Sequence, residues 1–241
     1  MPMGQSTPSP AFDPAREGTP ELLWEAALER APVLELPCTA IVVVSPHPDD
    51  EVLGAGGLIS IAARTGHEVT VLSVTDGEAA YPDWAGLDEV RRREVRDALS
   101  VLAPFKLTIR RVSIPDGRVG RHRATLFEAI ARCTSGSPLL VAPYEGDGHP
   151  DHDAAGEVGL EIAELHGLTL WRYPIWTWHH GTPDRLADRR WGRFPLDPAA
   201  LDKKTRAISC FASQLRPSGR DPIVPDHVLP YFTRSYEAYL T

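Results

Sequence analysis

Cysteine is scarce, with only Cys38, Cys133 and Cys210 in 241 residues. An odd number at long spacings supports neither a disulfide framework nor a zinc finger, so each thiol reads as a small buried hydrophobe. Long apolar runs are missing too. The longest near the start, Ala40 to Val44, falls far short of the roughly 20 residues a membrane span needs. The first residues also lack the basic-then-apolar order of a signal peptide. No membrane span and a cytoplasmic location are therefore expected. Basic charge is in deficit, with 25 Lys and Arg against 33 Asp and Glu and a net charge of −8. That balance leaves no electrostatic footprint for nucleic acid or anionic lipid.

What is present is an ordinary globular composition, 42% hydrophobic and 24% charged, on a chain long enough for one sizeable core. Residues 1–20 are rich in Pro, Ser and Gly without apolar periodicity and read as a flexible arm. The remainder, 21–241, reads as a single domain. A short helix is expected over Glu21 to Arg30, where Leu22, Leu23, Ala26 and Ala27 recur at helical spacing.

Strands and helices then alternate. Ala40 to Ser45 is a β-branched run of the kind found in strands covered on both faces, followed by a helix from Glu51 to Arg64 that Gly66 ends. Strands are expected at His67 to Thr75, Leu107 to Ile114, Leu139 to Ala142 and Leu168 to Tyr173. Helices are expected from about Leu87 to Leu102, and at Arg123 to Cys133 and Asp153 to Leu165. This order implies right-handed crossovers and an α/β fold, a mainly parallel sheet sandwiched between helices. Ligands in such folds bind beyond the carboxyl ends of the strands. After Tyr173 the alternation fades into Trp- and Pro-rich sequence, which reads as irregular loops. Residues 174–195, with Trp176, Trp178 and Trp191, are expected to wall the crevice and offer an aromatic face.

Two unusual clusters fall where the fold puts its ligand site. Ser45-Pro46-His47-Pro48-Asp49-Asp50-Glu51 follows the first strand, and Glu145-Gly146-Asp147-Gly148-His149-Pro150-Asp151-His152-Asp153 follows the fourth. Taken alone, the first cluster also reads as a helix start, because carboxylates cap free N–H groups, and the second as a polar turn. Together, an imidazole and a carboxylate across a short turn plus an imidazole from another strand end suit a three-ligand metal site with an open position. His67, His122, His166 and His227 have no such partner and read as ordinary residues. His179 and His180 read as packing.

The segments PHPDDE, with its helix-opening glycines, and HPDH resemble the two signatures of the PIG-L/LmbE-like deacetylases. These are zinc-dependent enzymes that remove acyl groups, usually acetyl, from amino sugars. The resemblance spans roughly Ala40 to Leu165. Thr75-Asp76-Gly77-Glu78, Arg91 with Glu94, Asp116-Gly117 and Ser213-Gln214 are similar to lesser parts of the pattern. The resemblance implies a Rossmann-like three-layer sandwich of the LmbE-like type. It implies His47, Asp50 and His152 as ligands of Zn2+, with ferrous iron or another divalent metal as alternatives. Asp49 would be the general base, His149 would steady or protonate the reacting centre as an imidazolium, and Asp151 would tune it. Arg91 and Asp116 would contact the substrate. The expected partner is a small amino-sugar conjugate. A hydrolase of a non-sugar amide and a metal-retaining binding module without turnover are the alternatives.

Overall fold

In the computed structural model, residues 13–37, 40–104, 107–136 and 138–241 are described. Cys38 and residues 1–12 of the expected arm lie outside them. The element order is α1 (Glu21–Leu28), β1 (Ala40–Ser45), α2 (Asp50–Arg64), β2 (Glu68–Ser73), α3 (Leu87–Leu102), β3 (Leu107–Arg111), α4 (Arg123–Ala131), β4 (Leu139–Pro143), α5 (Pro150–His166) and β5 (Leu170–Tyr173). The short α6 (Thr177–His180) follows, then β6 (Trp191–Pro195), α7 (Pro198–Ile208), α8 (Ala212–Leu215) and β7 (Tyr236–Leu240).

The strands form one seven-stranded sheet in the order β3-β2-β1-β4-β5-β7-β6. From β3 to β5 every pairing is parallel. β1 is covered on both faces, as its sequence predicts: Ile41 and Val43 face one core with α2 and α3, Val42 and Val44 the other with α4 and α5. The chain runs outward from β1 through β2 and β3, then returns to place β4 on the other side of β1. Crossovers on opposite faces leave a gap beyond the carboxyl ends of β1 and β4, the switch point where open α/β sheets bind ligands.

The C-terminal third differs from expectation. Instead of irregular loops alone it supplies β6, β7 and α7, with β7 antiparallel to both β5 and β6. Gly192 and Pro195 mask the period-2 pattern of WGRFP, and a strand so short shows itself only through its partner. Residues 13–20 are held by the body of the protein: His179 and His227 both donate to the Arg16 carbonyl, and Thr19 N–H donates to the His179 carbonyl.

Helix α2 positions half of the site, and its glycines serve packing. A Cβ on Gly54 would lie 2.3 Å from the Tyr173 ring, whose hydroxyl is fixed at 2.6 Å on the Val44 carbonyl. Ala55 leaves helical geometry, so α2 breaks and a new helical start opens in the core. The Glu237 carboxylate caps it, accepting from Gly57 and Leu58 N–H at 2.7 and 2.8 Å, while Lys204 Nζ at 2.7 Å balances its charge. Buried charge is tolerated only with such complete pairing. No helix among the described residues is long and apolar enough to cross a membrane.

Candidate metal centre and crevice

His47 and Asp50 sit in the turn between β1 and α2, and His152 lies in the first turn of α5. That helix starts at Pro150 rather than Asp153, because His149 caps it: the His149 ring Nδ1 accepts the Asp151 N–H at 3.2 Å. The earlier start turns His152 inward, where it is fully buried.

The donor atoms of the three residues converge. His47 Nδ1 lies 3.0 Å from His152 Nε2, and Asp50 Oδ2 lies 3.3 Å from the first and 3.2 Å from the second. Ligands about 2.1 Å from one ion at tetrahedral or octahedral angles stand about 3.0–3.4 Å apart, so this triangle fits a divalent metal. Electrostatics agree. Burial opposes charge on His152, yet the Asp50 charge and the Asp147 hydrogen bond outweigh it and raise its pKa to about 9. His47 is raised as well, against burial, by Asp116, Asp151 and Asp50. A field that holds protons on two buried imidazoles is one that favours a cation.

Each imidazole has carboxylates behind it. His47 Nε2 faces Asp116 Oδ1 at 3.2 Å and Asp151 Oδ2 at 3.4 Å. His152 Nδ1 lies 2.7 Å from Asp147 Oδ2. Such partners fix the tautomer and ring orientation of a metal ligand. Asp116 and Asp151 are therefore engaged with His47. Asp151 also accepts from Gly117 and Val119 N–H, and Asp116 from Ala79 N–H.

Asp147 lies in the turn after β4, and its role is visible only in its contacts. Its carboxylate accepts from Ile175 N–H (2.9 Å), Trp176 N–H (3.0 Å) and both Thr177 N–H and Oγ1 (2.9 and 2.8 Å), and it is fully buried. The available signal was its spacing: an acidic residue between two glycines, shortly before a histidine that opens a helix.

Asp49 lies beside the triangle with φ +126°, a region costly for any residue but glycine and tolerated where surroundings over-determine it. Burial raises its carboxyl to about 8 against the pull of Arg91. Arg91 is buried rather than on the solvated face of α3. Its Nη1 donates to the Gly77 carbonyl (3.0 Å), and Nη2 donates to the Pro48 carbonyl (2.7 Å) and lies 3.5 Å from Asp49 Oδ2. Gly77, at φ +66°, is required here because a Cβ would fall 1.9 Å from Arg91 Nη1. His149 differs from the imidazolium expected. Burial, then the neighbouring His47 and His152, lower its pKa to about 4, so it is neutral at pH 7.

A cavity of about 330 Å3 opens over these groups, lined by His47, Asp49, Asp50, Arg91, Asp116 and His149 on its polar side. Of segment 174–195 Ile175 and Trp176 line it, so the aromatic wall expected there narrows to Trp176. Trp178 packs edge-on against Trp24 at 5.0 Å and beside Trp191 at 5.3 Å, under the Arg234 guanidinium at 4.2 Å. Both tryptophans are part of the fold. Leu53, Gly117, Pro14, Ala79, Ala80, Ile223 and Val224 complete the lining, and the last five lie outside the motifs that the sequence singles out.

Glu51, next to these groups, accepts from the Ser45 hydroxyl at 2.6 Å, and burial raises its carboxyl from 4.5 to about 7. A raised carboxyl favours the folded state below the unfolded pKa, and that contribution is lost as pH climbs through the folded one. In metal-free protein Glu51 should remove roughly 3 kcal/mol of stability between about pH 4.5 and 7, with Asp49 acting in the same direction. Glu51→Gln should flatten the fall in Tm with rising pH. Thermal unfolding over a pH series checks this, and an unchanged slope would assign the dependence elsewhere.

Residues 42–163 match the family model described as PIG-L: GlcNAc-PI de-N-acetylase. A diacetylchitobiose deacetylase of Thermococcus kodakarensis is 30% identical over 138 residues, covering 53% of this chain and 50% of that protein. A 1D-myo-inositol 2-acetamido-2-deoxy-alpha-D-glucopyranoside deacetylase of Streptomyces avermitilis is 27% identical over 191 residues, covering 67% and 63%. The chain thus spans half to just under two thirds of these relatives' length. The solved N,N'-diacetylchitobiose deacetylase of Pyrococcus horikoshii is similar with a TM-score of 0.62, covering 92% of this chain and 89% of that one at 19% identity. That last likeness is one of fold.

Proposed function

We infer, from the premise that the chain belongs to the PIG-L family described as GlcNAc-PI de-N-acetylase, that it is a metal-dependent hydrolase removing an N-acyl group, acetyl above all, from an amino sugar or its conjugate. The observation that carries this reading is the triangle of His47 Nδ1, Asp50 Oδ2 and His152 Nε2 with Asp49 beside it, of which His47, Asp50 and Asp49 line the cavity. Two imidazole nitrogens and a carboxylate oxygen suit zinc, and ferrous iron accepts similar ligands. When bound, a divalent ion supplies Lewis acidity to water and to the amide carbonyl.

The protein's own groups divide the remaining work. Asp49, next in the chain to Asp50 but turned away by its positive φ, accepts the proton of the attacking water. Its raised pKa is lowered again by positive charge at the three donors, and a carboxyl that has taken this proton can hand it to the leaving amine. Arg91 holds the Asp49 turn through the Pro48 carbonyl and so sets the direction of the base. His149 acts as a neutral donor. Its Nδ1 accepts the Asp151 N–H, so the ring proton sits on Nε2, available to the oxyanion of the tetrahedral centre. Asp151 and Asp116 fix the His47 ring.

The test is release of acetate and free amine from a panel of N-acetylated sugars, with metal-stripped and zinc-restored protein. Release that needs the metal is the expected result. Release from non-sugar N-acetyl amines alone would move the substrate class, and none from any compound by zinc-restored protein would overturn the hydrolase.

A further inference from the structure

The cavity has a lining of two kinds. Besides the polar groups, Leu53, Ala80, Ile175, Trp176, Ile223 and Val224 line it, an apolar surface of the kind that takes up hydrocarbon. Among the described lining residues the only arginine or lysine is Arg91. Its Nη groups are spent on the Gly77 and Pro48 carbonyls and on Asp49, and its Nε is buried. An anionic substituent would therefore meet in the wall only an arginine whose Nη groups are already engaged, and would face the carboxylate of Asp116.

This apolar wall is held rigidly. Val224 N–H donates to the Gln214 carbonyl at 3.1 Å, and the neighbouring Ser213 is bound through N–H and Oγ to Glu94 of α3 at 2.8 and 2.6 Å. In the segment before Ile223, the Asp221 carbonyl accepts from Tyr81 Oη at 2.7 Å. Arg220 pairs with Asp83 at 2.9 Å and lies 5.1 Å over the Trp84 ring. Ile175 and Trp176 are fixed by Asp147. Hydrocarbon meeting such a surface displaces water without paying to order the wall.

We propose that the wall formed by Ile175, Trp176, Ile223 and Val224 binds a neutral hydrocarbon substituent of the amino-sugar substrate, carried on the anomeric oxygen or in the acyl group. The proposal rests on the deacetylase reading for its sugar.

The experiment measures binding by calorimetry to zinc-loaded Asp49→Asn, which slows turnover. Four ligands are compared: the methyl, hexyl and 5-carboxypentyl glycosides of N-acetylglucosamine, and the methyl glycoside of N-hexanoylglucosamine. The hexyl or the hexanoyl compound should bind at least about tenfold more tightly than the methyl reference, in line with the area buried per methylene, and which one gains identifies the position. The carboxypentyl glycoside should show no such gain. Ile223→Ser should shrink the ratio between the gaining ligand and the methyl reference. Equal binding of all four, a gain for the carboxylate equal to that for hexyl, an unchanged ratio in Ile223→Ser, or no binding at all would each overturn the proposal. Tight hexyl or hexanoyl binding without acetate release by the wild-type protein would overturn the hydrolase reading instead and leave the wall's preference standing.

Discussion

Asp49→Asn should lose about 10²- to 10⁴-fold in turnover, the range for removal of a general base, while keeping most of its affinity for metal. His152→Ala should lose both. The difference follows from the positions of the two side chains. His152 Nε2 is one corner of the donor triangle, within 3.2 Å of the other two, whereas Asp49 lies beside it and leans towards Arg91. Asparagine keeps the shape at position 49 and removes only the capacity to take a proton. Metal content by elemental analysis, measured with acetate release on the same preparations, separates the two effects. Full turnover in Asp49→Asn would place the base elsewhere, and loss of metal would make Asp49 a ligand.

Asp147→Asn should weaken zinc binding by about 10- to 100-fold, the usual cost of losing a carboxylate behind a metal-binding histidine, and should lower Tm as well. Oδ1 accepts from Ile175 N–H, Thr177 N–H and Thr177 Oγ1, and Oδ2 from Trp176 N–H and His152 Nδ1. An asparagine oxygen can serve one of these sets. Its NH2 must then face donors from the other, leaving buried groups unpaired at about 1–3 kcal/mol each. An NH2 next to Nδ1 also favours the tautomer with hydrogen on Nε2, which takes the lone pair away from the metal. Competition with a chromophoric chelator gives the affinity, and urea or thermal unfolding of the metal-free protein gives the stability. Unchanged zinc affinity alongside lowered stability would confine Asp147 to bracing the 175–177 segment.

Much of the framework was legible because it is written locally. The β-branched run of β1, the His-Asp turns after β1 and β4, and the strand–helix alternation are short-range patterns with direct physical causes. They suffice to place both motifs at the carboxyl ends of strands. Two parallel strands separated by a hundred residues still had to be neighbours for His47 to meet His152. The alternation implied a shared crevice, and the strand order supplied the adjacency of β1 and β4.

The C-terminal third was not legible, for the opposite reason. β6 and β7 are short, and what makes them strands is mutual pairing and the exposed edge of β5, neither of which leaves a periodic trace in WGRFP or YEAYL. Trp178 and Trp191 looked like a binding surface because aromatic residues serve burial and recognition equally well, and only their packing on Trp24 separates the two.

The sequence by itself determined the α/β class and the His- and Asp-bearing turns at the strand ends, since those depend on residue type and spacing within a few positions. Tertiary structure alone decided that Asp147 ties His152 to the crevice wall, that Arg91 is spent inside on backbone carbonyls, and that Ile223 and Val224 face the site. Each of these is a contact between segments far apart in the chain. Such contacts are selected by the burial and hydrogen bonding of the whole fold, which no local pattern records.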